Sequence, residues 1–232
     1  MESGSTRVNT IHWELFDKEK VMKISEIRLQ YEKGSLNEHI VGDEPLVFFE
    51  KWLQECINAK VIEPTAMVLS TCDSNGRPAS RVVLLKGLSE NSLHFYTNYL
   101  SSKGNHIELN NQVALLFFWP ELERQVRFVG VATKISENES DEYFNSRPVE
   151  SRVGAVISPQ SRVISNRSEL ETAYKQMIDS PEVESIQRPE HWGGYAVSIT
   201  EAEFWQGRPG RLHDRIRFRS ENNKWIKERL AP

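Results

Sequence analysis

Between Pro64 and Ile135 the chain runs through a succession of short β-prone stretches, and this succession constrains the fold more than any other feature. Thr65–Thr71, Ser80–Leu88, Leu93–Asn98, Gln112–Trp119 and Leu122–Ile135 are each rich in β-branched, aromatic or leucine side chains. Asp73-Ser74-Asn75-Gly76 is a turn signal between the first two. Parallel strands need long crossovers, so connections this short predict antiparallel pairing. Gly194–Ile199, Glu201–Gln206, Asp214–Arg219 and Lys224–Arg229 extend the pattern, with Glu221-Asn222-Asn223 as a hairpin turn. A barrel closed on itself would leave no free sheet edges. The predicted class is mainly β with peripheral helices (α+β), an antiparallel barrel.

Helices are predicted around this sheet. Asp43-Glu44-Pro45 starts one, and Leu46, Phe49, Trp52, Leu53 and Cys56 form its apolar stripe through about residue 60. Such a stripe belongs to a core. Ser101–Asn110, Glu137–Ser146 and Ser151–Ile157 read as further helices. Asn166-Arg167-Ser168-Glu169 has the form of a capping box for one more, ending near Asp179. Ile24, Ile27 and Tyr31 share a short helical face that stops at Gly34. Residues 1–20 lack a period and read as a flexible tail. Residues 21–232 read as a single domain, with no repeat or low-complexity linker to divide them.

Composition narrows the function. The net charge of −4 argues against a general nucleic-acid or anionic-membrane binder. The longest apolar run, Val113–Trp119, falls far short of the roughly 20 residues a membrane span needs. Cys56 and Cys72 are too few for a disulfide framework, and no His/Cys cluster has zinc spacing, so no metal is expected. The first 16 residues lack an apolar secretory core, so a cytoplasmic protein is the expectation.

Four segments could carry chemistry. If Arg211–Arg215 were extended, Arg211, His213 and Arg215 would share a face and call for an anion among them. The same spacing suits a solvated edge strand continuing through Arg217 and Arg219. Arg81 and Lys86 flank an apolar strand and could hold two anionic groups, or simply reach solvent. Gln125 lies beside Arg127 on one strand face, where an amide could bond a planar ring or merely face water. Tyr143 and Arg147 are four apart on a helix, and Ser151 opens the next; together they could surround a phosphate, or form a stacked helix end. There is no Walker A pattern, GxSxG or HExxH, and Cys72 has no base beside it in sequence. Dispersed cations without an activated nucleophile suit a phosphorylated cofactor that supplies the reactivity.

In order along the chain, these segments resemble the pyridoxamine/pyridoxine 5′-phosphate oxidase family. The resemblance covers about Ile24 to Pro232. It includes Pro64-Thr65-Ala66-Met67, Arg81-Val82-Val83-Leu84-Leu85-Lys86, Phe95-Tyr96-Thr97-Asn98, Arg124-Gln125-Val126-Arg127, Ser146-Arg147-Pro148, Trp192-Gly193-Gly194, Glu203-Phe204-Trp205-Gln206-Gly207, Arg211-Leu212-His213-Asp214-Arg215 and the terminal Arg229-Leu230-Ala231-Pro232. It implies an FMN-binding split β-barrel and a homodimer with FMN at the subunit interface. The implied activity is oxidation of pyridoxine or pyridoxamine 5′-phosphate by O2 to pyridoxal 5′-phosphate. Hydrogen peroxide is the co-product, and the amine also releases ammonia.

Carried over by position, the implied FMN contacts are Arg81, Val82, Val83, Leu84, Tyr96, Thr97, Ser102, Lys103, Gln125, Gln160, Ser161, Trp205 and Arg215. The implied substrate contacts are Arg28, Tyr31, Lys86, Tyr143, Arg147, Ser151, Arg211 and His213, the last two also catalytic. Arg28 and Tyr31 match a segment that folds over the site. The chain departs from the family pattern at Ser102, where Arg or Lys is usual, at Val129 for Glu and at Arg152 for Gln. A non-catalytic flavin or pyridoxal 5′-phosphate carrier, and a split-barrel reductase using another flavin-like cofactor or haem, are the competing readings.

Overall fold

The predicted strands pair as one antiparallel sheet, and the pairing explains where the side chains point. The computed structural model describes residues 30–222 and 224–232. The tail 1–20, Arg28 and the segment from Ile24 lie outside the described residues, apart from Tyr31. The strands are β1 (Ala66–Cys72), β2 (Pro78–Leu84), β3 (Gly87–Ser89), β4 (Ser92–Asn98), β5 (Gln112–Trp119), β6 (Arg124–Lys134), β7 (Trp192–Gln206), β8 (Asp214–Glu221) and β9 (Lys224–Leu230). Their order is β2-β1-β5-β6-β7-β4-β3, with β8 paired to β7 and β9 to β8.

The single strand expected over Ser80–Leu88 breaks at Leu85–Lys86. There the Leu85 N–H donates to Thr65 O beside β1, and the Lys86 N–H donates to His94 O on β4. The chain thus crosses from one end of the sheet order to the other and curls it toward a barrel. The two strands expected over Gly194–Gln206 are one. β7 pairs with β6 along its length and bulges at Thr200, where the register shifts between Val129 and Gly130. One edge of β7 pairs with β4 through Trp192–Ser198 and then with β8 through Glu201–Gln206, so the sheet forks at the bulge. Gly130 has no room for a Cβ, which would meet Ser198 O at 2.3 Å.

The helices are α1 (Pro45–Asn58), α2 (Ser102–Leu109), α3 (Glu137–Ser146), α4 (Val149–Ile157) and α5 (Arg167–Ile178). The stripe on α1 plugs the sheet. Phe49 is fully buried, 4.8 Å from the Phe117 ring and 5.1 Å from Phe128, while Phe48 meets Phe204 at 4.9 Å. A reciprocal capping box forms at Ser136/Glu139, not at Asn166, whose side chain only accepts from the Glu169 N–H. No helix among the described residues is long and apolar enough to cross a membrane.

Candidate functional site

A cleft of about 490 Å³ opens between β2, the end of β4, the start of α2 and the junction of α3 with α4. Its chemistry is set by cations that have no acidic partner among the described residues. At one end lies Lys103, in the first turn of α2 and 8% exposed. Its ammonium donates to Thr97 Oγ1 (3.2 Å), Ser101 Oγ (3.2 Å) and Gln160 Oε1 (2.9 Å), all neutral. Burial, and then the charge of nearby Arg81, push its pKa down to about 8. Arg81 donates to Thr71 Oγ1 (2.7 Å) and Leu69 O (3.1 Å), and burial lowers its pKa as well. The Thr71 hydroxyl in turn meets His106 Nδ1 at 3.0 Å. Two neighbouring cations, one buried and one part-buried, are unfavourable without a carboxylate unless an anion joins them. Gly104 keeps the α2 start tight, since a Cβ there would lie 1.9 Å from Tyr99 O.

The other end is aromatic. Tyr96 and Tyr143 stack with centroids 3.8 Å apart, and Trp192 lies nearly parallel to Tyr143. The Arg147 guanidinium sits 4.7 Å from the centre of the Trp192 ring. Its Nη1 is buried and unbonded, and burial lowers its pKa. A buried charged donor with nothing to donate to is costly, and an incoming anion removes that cost. Lys86, in the connection between β2 and β3, and Ser151, in the first turn of α4, line the same cleft. Burial raises the pKa values of Tyr96 and Tyr143, so both stay protonated near neutral pH.

The remaining expected residues gather elsewhere. Gln125, Trp205 and Arg215 are direct cross-strand neighbours on β6, β7 and β8. Trp192 and Trp205 stand at opposite ends of the 15-residue β7, separated by roughly 40 Å of strand. Tyr31 packs edge-on against Trp205 (5.6 Å) and His213 (5.7 Å). His213 Nδ1 accepts from the Arg208 backbone N–H at 3.1 Å, so a neutral ring carries its proton on Nε2. Ser102 is exposed at the first position of α2, and Ser161, with φ of 69°, is exposed next to Gln160.

The extended Arg211–Arg215 face does not form. Pro209 and Gly210 turn the chain into a short 3₁₀ helix, Gly210 and Arg211 take φ of 63° and 62°, and β8 begins only at Asp214. Arg211 is exposed on that turn. The anion beside Arg215 is internal. Glu203, with its side chain 5% exposed, accepts from Arg215 Nε (2.7 Å) and from Arg127 (2.8 Å). The edge-strand alternative fails too, because β8 pairs on both sides. Sequence reasoning gave Glu203, Thr71 and His106 no role. Their partners lie 10 to 76 residues away, and no local spacing reveals them.

The outer face between the two groups is apolar and open. Val82 is 64% and Phe118 55% exposed. Phe118 stands directly across from Gln125.

Comparison with known proteins bears on both groups. Residues 53–180 match the family described as "Pyridoxamine 5'-phosphate oxidase". Residues 192–232 match "Pyridoxine 5'-phosphate oxidase C-terminal dimerisation region". A curated relative from Haemophilus influenzae, named pyridoxine/pyridoxamine 5′-phosphate oxidase, is 52% identical over 91% of this chain and all of its own. Among solved structures, PhzG from Burkholderia lata, bound to tetrahydrophenazine-1-carboxylic acid, aligns with a TM-score of 0.78 and 28% identity, over 85% of this chain and 98% of its own. A pyridoxamine 5′-phosphate oxidase-related FMN-binding protein from Nostoc punctiforme aligns at 0.66 and 18% identity, over 79% and 97%, a likeness of fold: the antiparallel split barrel.

Proposed function

The chain belongs to the pyridoxamine 5′-phosphate oxidase family, and we propose that it oxidises pyridoxine and pyridoxamine 5′-phosphates to pyridoxal 5′-phosphate with FMN and O2. The observation that carries this reading is one aromatic cleft with an uncompensated cationic cradle at each end. The residues present fit FMN. Arg81 and Lys103 offer clustered donors for its phosphate, and Thr97 and Gln160 already hold the Lys103 ammonium in place. The second cradle suits a substrate phosphate. Arg147, with its free Nη1, would bind it with Lys86, Tyr143 and Ser151.

Bound FMN would supply two-electron redox chemistry, with the C4′ hydrogen and the O–H or N–H proton of the substrate both appearing in the hydrogen peroxide formed from O2. The protein's task is orientation. Fixing the substrate phosphate holds the pyridine ring at reacting distance and turns a bimolecular encounter into an oriented one. His213, with Nδ1 occupied by the Arg208 N–H, presents its Nε2 proton as a donor, and Arg211 adds a cation beside it. Gln125, Trp205 and Arg215 would complete the cofactor contacts, with Glu203 holding the Arg215 guanidinium. Ser161 and Ser102 add hydroxyls near the phosphate end, and Val82, Val83 and Leu84 the adjoining strand wall.

The chain carries the family's dimerisation region. That region, together with the exposed apolar Val82 and Phe118, supports a finer reading, in which FMN lies between two copies. The first copy would supply Arg81, Tyr96 and Lys103, and the second Gln125, Trp205 and Arg215. The exposed Val82 and Phe118 face, continuous with Gln125, is the surface such a dimer would bury.

The test is an aerobic incubation of the FMN-loaded protein with each phosphate ester. The expected products are pyridoxal 5′-phosphate and peroxide in equal amounts, with ammonia from the amine only. A protein that binds FMN yet forms neither product refutes the reading.

A further inference from the structure

We infer that Glu123 is a positioning residue: its buried carboxylate latches the Glu32–Lys33 backbone and so holds Tyr31 against Trp205 and His213. The inference rests on the functional reading above only in placing those two residues at the reaction site.

The geometry is unusual for a surface turn. Glu123 follows the short 3₁₀ helix Pro120–Leu122, is 7% exposed, and has φ of 55°, a left-handed conformation that costs a non-glycine residue energy. The backbone is held there by three bonds. Its own N–H donates to Pro120 O, and its carbonyl accepts from the Gly207 N–H (2.8 Å) and from Gln206 Nε2 (3.2 Å). That conformation aims the carboxylate at a segment some 90 residues away in sequence. Oε2 accepts from the backbone N–H groups of both Glu32 (2.8 Å) and Lys33 (2.9 Å). Two successive amides on one carboxylate oxygen are charge-assisted bonds, about twice as strong as neutral ones.

The neighbouring bonds follow the same segment. Lys33 Nζ donates to Glu121 O, Arg208 donates to Gly34 O, and the Leu36 N–H donates to Asp214 Oδ2. Tyr31, one residue before the latched pair, is thereby set on Gly207. A Cβ on that glycine would lie 2.7 Å from Tyr31 Cβ. Among the described residues, the carboxylate of Glu123 is the side-chain acceptor for the backbone amides nearest Tyr31, and Asp214 holds the far side.

Glu123→Met removes both acceptor oxygens at similar size and leaves the backbone demand unchanged. Glu123→Gln keeps one oxygen and loses the charge, and it remains informative if the first variant does not fold. Hydrogen exchange on the FMN-loaded full chain should show the Glu32 and Lys33 amides exchanging about tenfold faster or more in Glu123→Met and less so in Glu123→Gln, with the Leu36 amide little changed. KM for pyridoxine 5′-phosphate should rise about tenfold, with kcat within about twofold. Unchanged exchange at Glu32 and Lys33, or a loss of kcat with KM unmoved, overturns the latch. Wild-type holoprotein that forms no pyridoxal 5′-phosphate overturns the functional reading instead, and the exchange data still decide the latch.

Discussion

If Lys103 holds the FMN phosphate as proposed, FMN affinity should depend on pH around the folded pKa of that side chain. Its folded pKa of about 8 follows from burial and from the charge of Arg81. At pH 7 about nine tenths of the side chain is charged, and at pH 9 about one tenth. Phosphate monoesters pass their second pKa near 6 and are dianions across this range. Tyr96 and Tyr143 are raised above the usual phenol value and stay neutral, while Arg81 keeps its charge. Binding that requires the ammonium should therefore weaken about tenfold between pH 7 and pH 9. Lys103→Met should cost the charged hydrogen bond, about 1.5–3 kcal/mol or 10- to 150-fold at pH 7, and should flatten the pH dependence.

The same shift acts on the apoprotein with the opposite sign. The folded value lies below the ordinary lysine value of 10.5, so between about pH 8 and 10.5 the unfolded chain holds more protons. The Lys103 contribution to apoprotein stability therefore rises with pH through that window, while FMN affinity falls. Titrating FMN fluorescence against apoprotein at pH 7, 8 and 9, for wild type and Lys103→Met, reads the effect directly. A dissociation constant that stays flat from pH 7 to 9, or a variant that retains the wild-type fall, refutes the reasoning.

Arg147→Met should raise KM for pyridoxine 5′-phosphate about 10- to 100-fold while leaving the FMN dissociation constant near wild type, because the unpaired Nη1 belongs to the second cradle. Steady-state kinetics beside a flavin titration separate the two; equal loss of both would place Arg147 on the cofactor. Phe49→Ala should cost about 3–5 kcal/mol in urea unfolding, since the ring is fully buried among Phe117, Trp119 and Phe128. A loss under about 1 kcal/mol would mean that α1 is not the plug of this core.

Local chemistry made much of this fold legible. The stripe from Leu46 to Cys56 needs only helical spacing, and the turn at Asp73–Gly76 needs only its residue types. What stayed hidden depends on pairing across long stretches of chain. β7 reads as two strands because its bulge at Thr200 interrupts the alternation, yet β6 runs alongside and holds both halves in one ladder. The positive segment at Arg211–Arg215 reads as extended because alternation is the simplest rule for a charged run. Pro209 and Gly210 override that rule by fixing a turn, and of Arg211, His213 and Arg215 only Arg215 enters the strand.

The site residues divide along the same line. Tyr143, Arg147 and Ser151 lie within nine residues, and although α3 ends at Ser146 and leaves Arg147 as its extended C-cap, the short α3–α4 connection keeps all three on one cleft. The counter-charge on Arg215 is different in kind. Glu203 reaches it across a ladder, and a sequence shows no ladder. Counting charges along the chain therefore overstates the free positive charge near Arg215 and says nothing about Arg81 and Lys103, which stand far apart in β2 and α2. The physical marker of the cleft is a cation buried without a carboxylate. Lys103, Arg81 and Arg147 carry that mark, whereas Arg127 and Arg215, equally prominent in the sequence, share one buried glutamate.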